Sequence, residues 1–163
     1  MSVTTAEIGK MLTAENLNRK RVQDDTLSIS FNASNFTNRS GEHRFVVLLE
    51  VHDGGRYLNA RVPIMFQPTG EYVQETLELL VRLQSVSKLV QFRYDDTDGF
   101  VRPSVDLRLG TMDLDAGSLG VFIRALVLEV ESTLSAVRHT LATGEIVVPG
   151  TSATPPTAPV PGP

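Results

Sequence analysis

The sequence has no cysteine, which excludes disulfides, zinc–thiolate sites, iron–sulfur clusters and a cysteine nucleophile. It also has no apolar run of the roughly 18 to 20 residues that a membrane-spanning helix needs. The first ten residues contain an acid and no apolar core, so we expect no secretory signal, no membrane attachment and a cytoplasmic location. Basic residues are not in excess either, since the net charge is -4. We therefore expect no nucleic-acid partner, because such a partner requires a basic face.

Motifs of catalysis and metal binding are also missing. The chain has no G-x-S-x-G elbow, no Walker A loop and no G-x-G-x-x-G after a strand. Of its histidines, His43 and His52 lie on one predicted strand at a spacing that sends them to opposite faces. The acidic turn before Gly99 has part of a calcium loop's spacing, but Tyr94 and Val105 stand where that loop needs oxygen ligands. We predict a protein without catalytic residues, cofactor or metal.

Length and composition favour one domain with a sizeable core. The chain has 163 residues, of which 41% are hydrophobic, and a domain of this size buries roughly 70% of its unfolded surface. From residue 149 onward the composition changes, because six of the nine prolines lie there among Thr, Ala and Gly. Such a segment cannot build a core. We predict a single domain over residues 1–148 and a disordered proline-rich tail over residues 149–163.

Hydrophobic periodicity predicts five strands and three helices. Alternation of Leu27, Ile29 and Phe31 with polar residues indicates a strand with one buried face, and Asp53-Gly54-Gly55 is typical of a hairpin turn. Pro103 lies inside the last strand, which predicts that this strand is an edge or is bulged. The predicted helices span about residues 4–16, 71–86 and 118–143, and the predicted strands about 27–32, 44–52, 57–66, 89–94 and 100–109.

The order α-β-β-β-α-β-β-α contains no β-helix-β alternation that would require a parallel sheet. We therefore predict an α+β fold in which a five-stranded antiparallel sheet carries helices packed on one face. In this fold the last helix is the longest element, and Gly144 is placed to end it.

The second hairpin carries a resemblance to a known family. Its segments Phe92-Arg93-Tyr94-Asp95, Asp98-Gly99, Val101-Arg102 and Val105-Asp106-Leu107 resemble the aromatic strand, acidic turn and return strand of the bacterial YbjN family. That family shares the type III secretion chaperone-like fold, and the resemblance covers about residues 3–144. It implies a homodimer packed through helix and sheet surfaces, with a noncatalytic role in binding or regulating partner polypeptides. The proline-rich tail departs from the family pattern.

Apolar residues in excess of one core point to a protein interface. Val46 and Leu48 fall on the second face of the second strand, and Val121 and Leu128 widen the apolar surface of the long helix. We predict that the chain is a noncatalytic dimeric module that binds an unidentified protein. We expect the homodimer interface to contain Val121 and Leu128 of the long helix, or Val46 and Leu48 of the central strand.

An alternative function uses the polar face of the second hairpin. Arg93, Arg102 and Arg108 share that face with Asp106, which leaves open an anion-binding site of a small-molecule-binding regulator or enzyme. A protein-binding module should show an exposed apolar groove, whereas a ligand-binding protein should show a closed pocket with converging arginines.

Overall fold

A computed structural model of the chain describes residues 2–34, 36–38, 40–63, 65–109 and 114–149. Except for Pro149, the predicted disordered tail lies outside the described residues. Within the described ranges the chain forms three helices and six strands. In chain order they are α1 (Thr5–Ala14), β1 (Arg19–Gln23), β2 (Thr26–Asn32), β3 (Arg44–His52), β4 (Tyr57–Arg61), α2 (Val73–Val86), β5 (Gln91–Asp95), β6 (Phe100–Arg108) and α3 (Ala116–Thr143).

All six strands belong to one antiparallel sheet with the order β1-β2-β3-β4-β6-β5. The predicted α+β class and the antiparallel sheet are therefore confirmed. One face of the sheet is covered by helices, and its side chains are almost entirely apolar. Its opposite face carries polar and charged residues together with Val46 and Leu48, which are half-buried.

The predicted number of strands was wrong, because β1 was not recognised. Residues Arg19–Gln23 pair with β2, and all five side chains are exposed. A strand with one buried face is recognised in a sequence by apolar residues at alternate positions. An edge strand that is exposed on both faces has no such pattern, and RKRVQ shows no alternation.

The main core lies between the covered face of the sheet and the helices α1 and α3. Val47, Leu49 and Leu58 from the centre of the sheet are fully buried there, as are Ile8 of α1 and Ile123 of α3. A second, smaller cluster joins α2 to α3 and β6, and it contains Leu79, Leu80, Leu83, Val101, Ala136 and Val137. This second cluster holds α2 beside the edge strand β5.

Pro103 does not make β6 an edge, contrary to the expectation from sequence. β6 lies between β4 and β5, and its pairing with both neighbours is regular. The carbonyl of Pro103 accepts from the Val62 amide at 3.0 Å, so the side on which proline lacks a donor faces the end of β4. The missing hydrogen bond therefore falls where this ladder terminates, and the sheet tolerates the proline.

The start of α1 and the end of α3 lie where capping residues in the sequence predict them. Thr4 and Glu7 form the predicted capping box at the start of α1, with the Thr4 amide donating to Glu7 Oε2 at 2.8 Å. That bond is the main reason why the pKa of the Glu7 carboxyl lies below its usual value. Gly144 ends α3 in the left-handed conformation with φ of 74°, as predicted.

The β3–β4 turn offers a matched pair of glycines for a stability test. Gly54 and Gly55 both have positive φ, at 62° and 90°, but only Gly55 touches the N-terminal segment. A Cβ on Gly55 would lie 2.6 Å from the Val3 amide nitrogen, whereas a Cβ on Gly54 would meet nothing within 4 Å. We expect Gly55→Ala to lower the free energy of unfolding by about 2–3 kcal/mol and Gly54→Ala by about 1 kcal/mol. Urea denaturation measures both, and equal losses would contradict a role for the Val3 contact.

Candidate protein-binding surfaces

An apolar groove runs between α2 and the edge strand β5. It encloses about 470 Å³ and is lined by Leu77, Leu80, Val81, Gln84, Ser85, Phe92 and Tyr94. We call it the α2–β5 groove. Val81 and Tyr94 on its rim are 71% and 56% exposed, which is unusual for large apolar side chains that stand side by side.

The groove exists because α2 is apolar on more than one side. Its buried residues are Thr76, Leu79, Leu80 and Leu83, which together face the second core cluster. Leu77 and Val81 are four residues apart and so share a different face of the helix. Within the described part of the chain, Leu77 is partly buried against the second core cluster, whereas Val81 is left exposed.

Further exposed apolar residues lie near the C-terminal end of α2, in a separate depression beside α3. Val86 is the last residue of α2 and Leu89 lies in the α2–β5 connection, and both are exposed. The sequence predicted this helix over about residues 71–86, but none of its residues was predicted to lie in an interface. The signal was present, since Leu77 and Val81 cannot share the face of Leu79 and Leu83 on a helix with 3.6 residues per turn.

The structure places the four predicted interface residues on two separate surfaces. Val121 and Leu128 lie on the outer side of α3, where they are 61% and 70% exposed. Val46 and Leu48 lie on the open face of the sheet, on the other side of the molecule, and are half-buried. No single flat interface can therefore contain all four, and their role in binding stays a prediction.

The three predicted anion-binding arginines are not brought to one point. Arg93 and Arg102 are register partners on β5 and β6, whereas Arg108 lies six residues along β6, opposite Tyr57 on β4. Arg93 forms an ion pair with Asp106, so its charge is already compensated. This arrangement lacks the converging free cations that an anion site needs.

Arg102 is held even more firmly by the β5–β6 hairpin. Its Nη1 donates to Asp95 Oδ2 at 2.9 Å, its Nη2 bonds to Asp98, and its Nε donates to the Pro63 carbonyl at 2.8 Å. Hydrogen bonding to Asp98 raises the pKa of Arg102, and the same bond holds the pKa of the Asp98 carboxyl below its usual value. The pKa of Asp95 is lowered mainly by the hydrogen bond from the Thr97 hydroxyl. The predicted polar turn is thus an internally paired structure.

Arg61, Glu50, Asn59 and Asp106 on the open sheet face are also paired with one another. Arg61 donates two hydrogen bonds to Glu50, at 2.6 and 3.2 Å, and Asn59 donates one to Asp106 at 2.6 Å. These residues line a shallow cavity of about 840 Å³ on the open face. Six of the charged residues that line the cavity are paired with one another, while Asp53 and Asp96 are exposed to solvent, which favours a solvated surface over a closed ligand pocket.

Within the ranges that the structure describes, no three His, Asp or Glu side chains are grouped so that they could hold a metal ion. Two of the histidines lie beside carboxylates, with His52 Nε2 at 3.6 Å from Glu50 and His139 Nε2 at 3.2 Å from Glu145. Among the described helices, none is long and apolar enough to cross a membrane.

Comparison with known proteins identifies the fold. No protein-family model and no curated protein matches the sequence. Among solved structures, the chain is similar to a chain of the heterodimeric complex ExoU-SpcU from the type III secretion system of Pseudomonas aeruginosa. The two share 18% sequence identity with a TM-score of 0.51, and the match covers 78% of this chain and 95% of that chain. This likeness supports the predicted type III secretion chaperone-like fold, while the relation to the YbjN family stays a prediction.

Proposed function

We propose that this protein is a noncatalytic, dimeric protein-binding module with a chaperone-like or regulatory role. The observation that carries the proposal is the α2–β5 groove, in which exposed apolar side chains of a helix lie beside an edge strand. Water contact with this surface is unfavourable at about 25 cal/mol per Å² of apolar area, so covering it with another polypeptide stabilises the complex. Gln84 of α2 already bonds the outward Phe92 amide of β5 and the Val90 carbonyl that precedes this strand, so the proposed association is driven by burial of the apolar side chains and not by strand pairing.

A second copy of the chain is the proposed occupant of the α2–β5 groove. The groove combines a helix and a strand edge, which fits the homodimer packed through helix and sheet surfaces that the family resemblance implies. The protein of similar fold occurs in a heterodimeric complex, and that supports a second, different protein partner for this fold. Val121 and Leu128 on α3 stay our candidates for contact with such a partner, together with Val46 and Leu48.

Because the chain contains no cysteine, single thiols can report the interface. We expect Val81→Cys to give a covalent dimer with a short bis-maleimide, since two copies of Val81 approach each other when the α2–β5 grooves pack together. Val121→Cys is the matched control, because Val121 is similarly exposed on a helix. Denaturing gel electrophoresis at low protein concentration measures the yield. Cross-linking through Val121 alone would assign the dimer interface to α3, and no cross-linking at either position would contradict a dimer formed through the α2–β5 groove.

A further inference from the structure

A basic cleft lies at the opposite edge of the sheet, between α1 and β1. It encloses about 600 Å³ and is lined by Thr5, Ala6, Gly9, Lys10, Arg19, Arg21 and Leu27. We call it the α1–β1 cleft. Its floor consists of small residues of α1 and the buried Leu27, so its walls are formed by three long cationic side chains.

The positive charge of the α1–β1 cleft is poorly compensated. Lys20 lies between Arg19 and Arg21 on the same strand, but it is the register partner of Ser28 and faces the other side of the sheet; the chain as a whole has a net charge of -4. Among the described residues, one of the three cations that line the cleft forms a salt bridge, with Arg21 lying 3.1 Å from Asp24. Glu7, the acid of α1, is hydrogen-bonded to Thr4 in the capping box and offsets part of the charge of Lys10, which leaves Arg19 without a carboxylate partner among the described residues.

Arg19 is held in place across the cleft. Its guanidinium lies against α1 at Gly9, where a Cβ would come within 2.6 Å of Arg19 Nε. Its Nη1 donates to Thr13 Oγ1 at 2.5 Å. A guanidinium has five N–H donors, and this bond uses one of them. Arg19 therefore presents a fixed cation with further donors to whatever enters the cleft.

The strand that borders the cleft is open to pairing, but not with a copy of itself. β1 is an edge strand of the sheet, and all its side chains are exposed. Two copies of its Arg-Lys-Arg segment would place like charges opposite one another, which destabilises a strand pair. An acidic strand has the complementary charge and is the partner that this edge selects.

We propose that the α1–β1 cleft binds an acidic segment of a partner polypeptide, which lies along β1 and places carboxylates against Lys10, Arg19 and Arg21. A peptide is favoured over a nucleic acid because no aromatic side chain lines the cleft, and single-stranded nucleic acids are held largely by stacking on aromatic rings. The site lies at the opposite sheet edge from β5, so occupancy of the cleft leaves the α2–β5 groove free.

The test measures fluorescence anisotropy of a labelled hexaglutamate peptide titrated with the full chain at low and at physiological salt. We expect saturable binding that weakens with salt, as screening requires. The double variant Lys10→Glu/Arg21→Glu should weaken binding by about tenfold or more, since both charges become repulsive. The peptide affinity of the neutral variant Lys10→Gln/Arg21→Gln should lie between that of the wild type and that of Lys10→Glu/Arg21→Glu.

The control is Lys88→Glu/Arg138→Glu, which makes the same change in net charge at exposed positions outside the cleft. We expect its affinity for the peptide to match that of the wild type within about twofold. Equal weakening by both double variants would overturn the proposal, as would an absence of peptide binding. Tighter binding of a thymidine hexanucleotide through the same cations would replace the acidic peptide with a nucleic acid. Sedimentation of each variant reports the dimer separately, so this proposal and the proposed dimer fail independently.

Discussion

Replacing Leu79 by alanine should lower the free energy of unfolding by about 3 kcal/mol, within the range of about 2–5 kcal/mol that buried Leu→Ala changes cost. Leu79 is fully buried in the cluster that joins α2 to α3 and β6. The change removes its apolar contacts and leaves a cavity that the helices cannot close without moving. Because this cluster holds α2 beside β5, we also expect the variant to weaken association through the α2–β5 groove.

Leu128→Ala is the matched control, because it makes the same substitution in a helix at a side chain that is 70% exposed. We expect it to change the free energy of unfolding by no more than about 0.5 kcal/mol. Urea denaturation at one protein concentration measures both variants, since association makes apparent stability depend on concentration. Similar losses in the two variants would show that Leu128 is covered in the folded protein and that α3 has a partner already.

The sequence specified those parts of the fold in which burial is one-sided. In β2, Leu27 and Ile29 are buried while Ser30 and Asn32 are exposed, and this alternation is what the period of two detects. The start of α1 at Thr4 and the end of α3 at Gly144 were also predicted, because capping depends on a few local residues. These features need no knowledge of what packs against them.

Features that depend on neighbours in space were missed. β1 has no buried face, so nothing in Arg19–Gln23 distinguishes an exposed strand from a polar loop. The position of Pro103 is acceptable only because β4 ends beside it, and the length of a neighbouring strand is not encoded in β6. The α2–β5 groove likewise arises from two segments that meet only in the folded chain, with Val81 on one and Tyr94 on the other.

The relations among the predicted site residues also depend on neighbours in space that the sequence does not show. Val121 and Leu128 were selected because they widen the apolar surface of one helix, and that helix does leave them exposed. Their relation to Val46 and Leu48 depends on which sheet face the helices cover, and periodicity alone cannot decide this. The arginines of the second hairpin share a face as expected, but their carboxylate partners come from other positions along the hairpin and determine how much free charge remains.

Placing aspartate at Val81 should convert the dimer to monomer. In the proposed dimer Val81 is covered by the second copy, so an aspartate there buries an unpaired carboxylate at a cost of several kcal/mol. Each 1.4 kcal/mol is a factor of about ten in the dissociation constant, and we expect an increase of about 100-fold or more. Light scattering of the folded variants, verified by circular dichroism, measures the mass across a range of concentrations.

Val121→Asp, Leu128→Asp and Val46→Asp are compared with Val81→Asp under the same conditions. We expect these three variants to stay dimeric, because their side chains lie on the outer side of α3 or on the open sheet face, away from the α2–β5 groove. Dissociation of Val121→Asp and Leu128→Asp with retention of the Val81→Asp dimer would assign self-association to α3, the surface predicted from sequence. A wild-type protein that is monomeric at about 100 μM, well above the dissociation constants of stable dimers, would refute the homodimer itself.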